Sequence, residues 1–218
     1  METKDIIIYG AGGFGREMAA LLKRQNAIIQ TWNLLGFVDD DLTRYPVGSH
    51  NEYGVILGDF NYLNAYSTEI NVILAFGKPN IIKNVYNKIS NPLIKFPNII
   101  GPEAKILDED NVKLGKGNIL CSYSTISCNV HLGDFNVFNN RCSVGHDAKI
   151  GNFNTFMTAT RISGDTIIED YNFFGVGSIL LQGIKVGCNT TIAAGAVVMR
   201  KTKDNSLYIG NPAKKIEI

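Results

Sequence analysis

The three histidines of this 218-residue chain stand in different surroundings, and one of them is placed to do chemistry. His50 lies in a polar stretch and His131 directly precedes an apolar residue, so we expect both at the surface. His146 comes two residues after the apolar Val144 and is followed by Asp147. An imidazole titrates near neutral pH and can take a proton from a nucleophile, and a neighbouring carboxylate can orient it. On the residues alone, a general base and a solvated surface histidine both stay open for His146.

A glycine-rich phrase near the N-terminus has the spacing of a phosphate-binding loop. Gly10-Ala-Gly-Gly-Phe-Gly15 follows the apolar run Ile6–Tyr9, and the acidic Asp39-Asp40-Asp41 comes about 25 positions later. Such glycines let backbone N–H groups approach a diphosphate at the start of a helix. Fewer than 100 residues are available here, at most half of the fold that NAD prefers. A nucleotide diphosphate of another kind is therefore favoured over a purely structural turn.

Apolar runs and helical patterns alternate over the first 95 residues. This alternation predicts a small α/β domain with a parallel sheet and right-handed crossovers. The predicted elements are strands at 6–9, 34–38 and 71–76 and helices at 16–23 and 79–89.

The second half of the chain carries a repeat of 18 residues built on a shorter repeat of six. Leu114-Gly-Lys-Gly-Asn118 returns as Leu132-Gly-Asp-Phe-Asn136, and related phrases begin at Ile150 and Ile168. An apolar residue at every sixth position is typical of a parallel β-helix, in which three short strands and three corners complete one coil. The unbroken apolar series is Leu114, Leu120, Ile126, Leu132, Phe138, Val144, Ile150, Phe156, Ile162, Ile168, Phe174, Leu180, Val186, Ile192 and Val198.

Stacked coils place residues 18 apart in one column, so each column should hold similar side chains. Two columns of mostly small residues are expected at cramped inward corners. A third is an asparagine ladder, in which each amide bonds the next and the asparagines take left-handed backbone. Upstream the six-residue repeat is out of phase by two, which predicts a longer corner near Lys113 and a β-helix that starts near residues 96–100. The columns are Ser124, Cys142, Thr160, Ser178 and Ala196; Val130, Ala148, Thr166 and Ile184; and Asn118, Asn136, Asn154, Asn172 and Thr190.

Composition argues against several classes of function. A net charge of +1 with 19% charged residues gives no basic face for nucleic acid. Residues 1–30 lack a cleavable signal pattern and no 18-residue apolar run occurs, so we expect a cytoplasmic protein without membrane insertion. No metal is expected, because the four cysteines lack metal-ligand spacing; they are Cys121, Cys128, Cys142 and Cys188.

Five phrases spread over essentially the whole chain match one family. They are Gly10-Ala-Gly-Gly-Phe-Gly15, Phe37-Val-Asp-Asp40, Ala75-Phe-Gly-Lys-Pro-Asn80, Val144-Gly-His-Asp-Ala-Lys-Ile-Gly151 and Ile209-Gly-Asn-Pro-Ala-Lys214. On these phrases the chain resembles the PglD/NeuD-type bacterial sugar acyltransferases. The resemblance implies a Rossmann-like α/β parallel-sheet domain at residues 1–95 and a left-handed parallel β-helix at residues 96–218. The handedness comes from the resemblance alone.

The resemblance also implies an activity. It is that of an acetyl-CoA-dependent N-acetyltransferase acting on a nucleotide-linked amino sugar for bacterial glycans or surface polysaccharides. Family members are similar in forming homotrimers, with acetyl-CoA in the groove between neighbouring β-helices and active sites shared between subunits. His146 takes the place of the family's general base. Asp147 takes the place of the carboxylate that orients this base, where the family more often has Glu.

Further site residues carry over from the same phrases. Asn139 matches a position that contacts the sugar near the base. Gly164, one coil after His146, would leave room for the thioester and offer its N–H to the oxyanion, with close packing as the alternative. Lys214 would meet a phosphate of coenzyme A or lie free at the surface. The residues that match sugar-nucleotide positions are Gly12, Gly13, Phe14, Arg16, Asp39 and Asp40.

Other functions stay open at this point. O-acetylation of a sialic acid uses the same fold and base with a hydroxyl acceptor. A hexapeptide-repeat protein without activity would be a structural or binding module, against which the intact Gly-His-Asp phrase argues. Serine acetyltransferase is disfavoured because its N-terminal domain is helical, and a nicotinamide oxidoreductase is the weakest alternative.

Overall fold

The computed structural model describes residues 3–217 and divides the chain into two compact units. Residues up to Gly77 together with Ile81–Pro97 form the first unit, and Lys78–Asn80 together with the residues from Asn98 onwards form the second. Within residues 3–217, no helix combines the length and apolar character that crossing a membrane requires.

The first unit is a six-stranded sheet with three helices. Neighbouring strands run parallel, as predicted, except for a short antiparallel pair at one edge. Two of the three helices were expected from the sequence, whereas the edge pair, the short middle helix and the last strand were not. The elements are β1 Lys4–Tyr9, α1 Gly13–Ile28, β2 Trp32–Val38, β3 His50–Asn51, β4 Gly54–Gly58, α2 Phe60–Asn64, β5 Ile70–Leu74, α3 Pro79–Lys88 and β6 Ile94–Lys95.

Strand β1 lies inside this sheet, and later strands are added on both sides of it. The order is β3-β4-β2-β1-β5-β6, so the chain moves first to one side and then to the other. At such a switch point the loops after adjacent strands diverge and leave a crevice at the carboxyl ends. The glycine-rich phrase is the loop after β1. The fold therefore brings Gly10–Gly15 to the place where α/β sheets usually bind ligands.

Two glycines of this loop are required by packing within the first unit. Gly10 has a φ of +115°, and a Cβ there would lie 2.8 Å from the carbonyl oxygen of Ala75. A Cβ at Gly15 would overlap the carbonyl oxygen of Gly10. Glycine at position 10 lets the loop pass close to the end of β5, and glycine at position 15 lets α1 pack closely on the end of β1.

The second unit is a left-handed parallel β-helix, as the repeat and the resemblance predict. Its strands are mostly two residues long and stack in three sheets. Sheet 1 contains Ile99–Ile100, Ile119–Leu120, Val137–Phe138, Thr155–Phe156, Phe173–Phe174 and Thr191–Ile192, and ends in the antiparallel pair Leu207–Ile209 and Lys214–Ile216. Sheet 2 contains Lys105–Ile106, Thr125–Ile126, Ser143–Val144, Arg161–Ile162, Ile179–Leu180 and Val197–Val198. Sheet 3 contains Lys113–Leu114, His131–Leu132, Lys149–Ile150, Ile167–Ile168 and Lys185–Val186.

The predicted apolar series fills the interior of the β-helix. From Leu120 to Val198 each member is at most 4% exposed. The rings of Phe138, Phe156 and Phe174 stack with centroid distances of 4.5 and 4.7 Å. The sequence prediction of similar residues in one column is confirmed, and burial of these side chains is the main source of stability for the unit.

The longer corner near Lys113 is also confirmed. Ile106 pairs with Ile126, 20 positions later, whereas Leu114 pairs with Leu132, 18 positions later. The two extra residues lie in the corner at 107–112. The strands on either side of it stay in register with the next coil.

The asparagine column forms a continuous hydrogen-bonded ladder. The backbone N–H of Asn136 donates to Asn118 Oδ1 at 2.9 Å, and that of Asn154 donates to Asn136 Oδ1 at 3.0 Å. Asn172 and Thr190 continue the series, and all five side chains are fully buried. Each amide thus satisfies a backbone donor of the next coil inside the core, where water is excluded.

The expectation that the ladder asparagines take left-handed backbone is wrong. Every sixth residue from Gly117 to Gly195 has a φ between 50° and 72°. Each ladder residue directly follows one of these left-handed residues, once per coil, and does not itself have a positive φ. Phe135, for example, is left-handed at 56° and precedes Asn136. The turn occurs at the third residue after each inward apolar residue, and the fourth points inward again. Only four of these corner residues are glycine, so the stacked coils impose the conformation.

Replacing Asn154 by alanine is expected to lower the free energy of unfolding by about 1–3 kcal/mol. The backbone N–H of Asn172, which donates to Asn154 Oδ1 at 2.8 Å, would lose its acceptor in a closed core. Denaturant titration of the purified variant measures the change, with the exposed Asn140→Ala as the control. A loss no larger than that of the control would contradict the structural role of the ladder.

Candidate functional site

His146 lies in the corner between a sheet 2 strand, Ser143–Val144, and a sheet 3 strand, Lys149–Ile150. The backbone of this corner is bonded to the coils on both sides. The N–H of Asp147 donates to the carbonyl of Cys128 at 3.1 Å, and the carbonyl of His146 accepts from the N–H of Asp165 at 2.8 Å. The histidine therefore stands on a rigid part of the β-helix, although its side chain is 50% exposed.

Asp147 holds one side of the imidazole. Its Oδ2 lies 2.7 Å from His146 Nδ1, and the residue occupies the left-handed corner position with a φ of 60°. Aspartate tolerates this conformation better than most residues. The contact leaves Nε2 as the ring nitrogen that is available to exchange a proton with a substrate.

Two hydrogen bonds keep Asp147 ionised. The contact with His146 and a bond from Asn129 lower the pKa of this carboxyl, against a smaller opposing effect of desolvation. The amide Nδ2 of Asn129 donates to Asp147 Oδ1 at 2.5 Å. The carboxylate that faces the imidazole is thus negatively charged over the whole pH range in which histidine titrates.

Gly164 provides the space that the imidazole occupies. A Cβ at this position would lie 2.6 Å from His146 Nε2 and 2.7 Å from Cε1. Gly164 itself is buried. Gly164 is therefore closely packed, which was the alternative interpretation from the sequence, and the group that packs against it is the imidazole of His146. The expected donation of the Gly164 N–H to an oxyanion stays a prediction.

A separate groove of about 500 Å³ runs along the outer face of sheet 3. It is lined by Lys113, His131 and Lys149 among others, and His146 is not among its residues. The His146 corner is the candidate for chemistry, because an imidazole nitrogen, its carboxylate partner and a backbone bonded to both neighbouring coils meet there.

In the first unit, the glycines at the start of α1 leave open space. A Cβ at Gly13 would meet no atom within 4 Å, and one at Gly12 would meet only the Tyr45 hydroxyl, at 3.7 Å. Internal packing therefore does not demand glycine at either position. The carboxylate of Asp39 fixes the loop, since its Oδ2 accepts from the N–H of Ala11 at 2.8 Å. The arrangement fits a loop whose backbone approaches a ligand.

Asp40 lies at the end of β2 within a small polar network. Its Oδ1 accepts from the Tyr9 hydroxyl at 2.5 Å, and its Oδ2 accepts from Lys88 Nζ at 2.5 Å. Burial alone would raise the pKa of Asp40, but the bonds from Lys88 and Tyr9 outweigh it and lower the pKa. Burial, together with the bond to this carboxylate, raises the pKa of Tyr9.

Comparison with known proteins finds similar chains for both units. Residues 5–89 match the family model of the PglD N-terminal domain. The acetyltransferase domain of PglB from Neisseria gonorrhoeae FA1090 superimposes with a TM-score of 0.87 at 25% identity, covering 98% of this chain and 100% of that one. WeeI from Acinetobacter baumannii AYE gives a TM-score of 0.86 at 25% identity, with 98% and 100% covered. Residues 5–89 thus carry the PglD N-terminal domain, and the chain as a whole is similar to sugar acyltransferases of the PglD/NeuD type.

A further structure shares the fold of this acyltransferase. PerB from Caulobacter crescentus, solved with CoA and GDP-perosamine, superimposes with a TM-score of 0.81 at 23% identity, and 99% of each chain is covered. The PglB domain was also solved in complex with acetyl coenzyme A.

Within the second unit, the predicted residues Asn139 and Lys214 lie away from the corner of His146. Asn139 occupies a different corner of the same coil, where it is 9% exposed and its amide contacts Met157 Sδ at 3.3 Å. Lys214 is exposed on the C-terminal strand and pairs with Ile209. Phe14 is half-buried and Arg16 exposed in the first turns of α1. In the second unit the structure brings together His146, Asp147 and Gly164, and in the first unit it brings Asp39 to the loop that contains Gly12 and Gly13.

Two residues near the predicted sites were missed from the sequence. Tyr45, whose hydroxyl faces Gly12, comes from an irregular segment that carries no periodic signal. Asn129 could have been found, because it lies 18 residues before Asp147 and so in the same column. Among residues 3–217 no group of three or more histidine, cysteine, aspartate or glutamate side chains is arranged to hold a metal ion.

Replacing Asp40 by alanine is expected to destabilise the first unit of the acyltransferase by about 1–3 kcal/mol at neutral pH, since the buried Tyr9 hydroxyl loses its acceptor. A carboxyl whose pKa is lowered by folding stabilises above its ordinary pKa, and this contribution is lost as the pH falls through the folded pKa. The difference in stability between the variant and the wild type is therefore expected to begin to shrink below about pH 4 and to keep shrinking as the pH falls further. Thermal unfolding between pH 3 and pH 7 measures both, with the exposed Asp41→Ala as the control. A difference that does not depend on pH would contradict the assignment.

Proposed function

We propose that the protein transfers the acetyl group of acetyl-CoA to the amino group of a nucleotide-linked amino sugar, with His146 as the general base. The observation that carries the proposal is the imidazole held between Asp147 and Gly164 on a corner that the coils on either side fix. The likeness to the PglB acetyltransferase domain, which was solved with acetyl coenzyme A, supports the choice of donor.

The proton-transfer step follows from the hydrogen bonds of the ring. With its proton on Nδ1 directed at Asp147 Oδ2, the imidazole offers the lone pair of Nε2 to the substrate. As the amine nitrogen bonds to the thioester carbonyl carbon, Nε2 takes one amine proton. The adjacent carboxylate stabilises the imidazolium that forms.

The second half of the reaction returns that proton. The tetrahedral intermediate collapses, the carbon–sulfur bond breaks, and the imidazolium protonates the departing thiolate of coenzyme A. No covalent acyl-enzyme is needed in this sequence. The Gly164 N–H is the proposed donor to the oxyanion, where a correctly placed donor contributes about 3–4 kcal/mol.

Binding of the nucleotide is assigned to the first unit. The open backbone at Gly12 and Gly13 would face the diphosphate at the start of α1, with Arg16 as a neighbouring cation. Phe14 would meet the nucleotide by stacking. Asp39 and Asp40 complete the predicted set: Asp39 accepts from the N–H of Ala11 in the loop, and Asp40 accepts from the hydroxyl of Tyr9 just before it.

The remaining assignments depend on a homotrimer. In the proposed assembly, acetyl-CoA lies in the groove between neighbouring β-helices, Asn139 contacts the acceptor sugar and Lys214 a phosphate of coenzyme A. Each active site then contains residues of two subunits. Sedimentation velocity at micromolar concentration tests this, and a stable monomer would refute the shared site.

Thiol release from acetyl-CoA tests the reaction itself. The purified protein is incubated with UDP-, GDP- and dTDP-linked amino sugars, and separately with free sialic acid. Turnover with one amino sugar, absent from His146→Ala, is the expected result. Turnover with sialic acid alone would assign the protein to O-acetylation, and no thiol release with any acceptor would overturn the proposal.

A further inference from the structure

We propose that Asn129 is a positioning residue of the acyl transfer, and that it acts by orienting the Asp147 carboxylate that holds His146. The inference rests on the proposed role of His146 as the base. Asn129 belongs to the coil that precedes the histidine, 18 residues before Asp147.

The three side chains form a connected series. Asn129 Nδ2 donates to Asp147 Oδ1 at 2.5 Å, and Asp147 Oδ2 lies 2.7 Å from His146 Nδ1. Each carboxylate oxygen is engaged by a different partner. Rotation of the carboxylate therefore breaks at least one of the two contacts, and the amide of Asn129 selects the rotamer that faces the imidazole.

The β-helix itself sets this geometry. Asn129 and Asp147 occupy the same left-handed place in consecutive coils, with φ values of 55° and 60°. The N–H of Asp147 donates to the carbonyl of Cys128, next to Asn129, at 3.1 Å. The two side chains thus leave the same corner one coil apart, and a short amide reaches the carboxylate directly.

A purely stabilising role fits the contacts less well. The ladder residues Asn136 and Asn154 are fully buried and accept from backbone N–H groups inside the core. Asn129 is exposed, and its amide donates to the carboxylate beside the base. An exposed hydrogen bond contributes little to folding because water replaces it. Loss of this amide should therefore change turnover more than stability.

Asn129→Gly is the decisive variant. Glycine removes the amide without straining the left-handed backbone, which alanine would do. Asn189→Gly is the matched control, because Asn189 is also left-handed, is exposed, and donates across coils to Asn205 Oδ1 at 2.8 Å, in a corner without histidine. We expect kcat of Asn129→Gly to fall about tenfold with KM for acetyl-CoA unchanged, since the base is misoriented. The control should keep wild-type kcat, and both variants should unfold at similar temperatures.

Nitrogen-15 NMR of the imidazoles separates this inference from the function. The chain has three histidines, so His50 and His131 serve as internal references. Wild-type His146 should carry its proton on Nδ1, and the population of that tautomer should fall in Asn129→Gly but not in Asn189→Gly. An unchanged tautomer, or a kcat within twofold of wild type, would overturn the inference. If no acceptor supports turnover, the proposed function fails and the tautomer alone decides the role of Asn129.

Discussion

Replacing His146 by alanine is expected to lower turnover by about two to four orders of magnitude, the usual contribution of a general base. The amine would then have to lose its proton to water while it attacks the thioester. The side chain of His146 is half exposed and lies outside the buried core of the β-helix. The melting temperature should therefore stay close to that of the wild type. Steady-state thiol release and thermal unfolding of the same preparation measure both quantities.

His131→Ala is the control for this experiment. His131 lies on the outer face of sheet 3 and is only partly exposed, so its loss tests the general effect of removing an imidazole from the β-helix. Its turnover should match that of the wild type. Retention of more than a tenth of wild-type turnover by His146→Ala would place the base elsewhere and remove the assigned mechanism.

Replacing Gly164 by alanine is expected to lower kcat about a hundredfold, even though it adds only a methyl group. The new Cβ would lie 2.6 Å from His146 Nε2, and the imidazole is the group that can move. Displacement takes the ring away from the position that Asp147 supports. Because the obstructing atoms belong to an exposed side chain, we expect only a small change in the melting temperature.

The double variant tests this explanation. Where His146 is already alanine, the clash is gone, so Gly164→Ala should change neither the residual turnover nor the melting temperature any further. A further fall in turnover would indicate a direct role for the backbone at Gly164, such as donation to the oxyanion. Equal kcat for the single variant and the wild type would show that the ring does not depend on this space.

The repeat made the β-helix predictable in detail. A residue 18 positions away is a neighbour in space, so Phe138, Phe156 and Phe174 could be placed in contact from the sequence. The same counting located the longer corner near Lys113. For His146 the neighbouring carboxylate could be predicted from the sequence, but the orientation of the ring could not, since the ring packs into the space that Gly164 leaves in the next coil.

The first unit was harder to predict because it has no repeat. The short strands β3 and β6 contain two residues each, too few for a periodic pattern to appear. Helix α1 begins at Gly13, although glycine is a poor helix former, and close packing of Gly15 against the end of β1 accompanies this start. The left-handed corners of the β-helix were misassigned for a similar reason. Tyrosine, phenylalanine and arginine hold a conformation there that only the stacked coils enforce.

The corner at 107–112 shows where this scaffold accepts extra length. Two additional residues are absorbed there, while Ile106 and Leu114 on either side keep their partners in the next coil. Leu107 at its start is exposed, and the corner precedes the coil of His146 by more than a full turn. A purification tag or fluorophore-bearing peptide inserted at this point would leave every column aligned. The corner is thus a natural attachment site for immobilising the protein or reporting on its assembly.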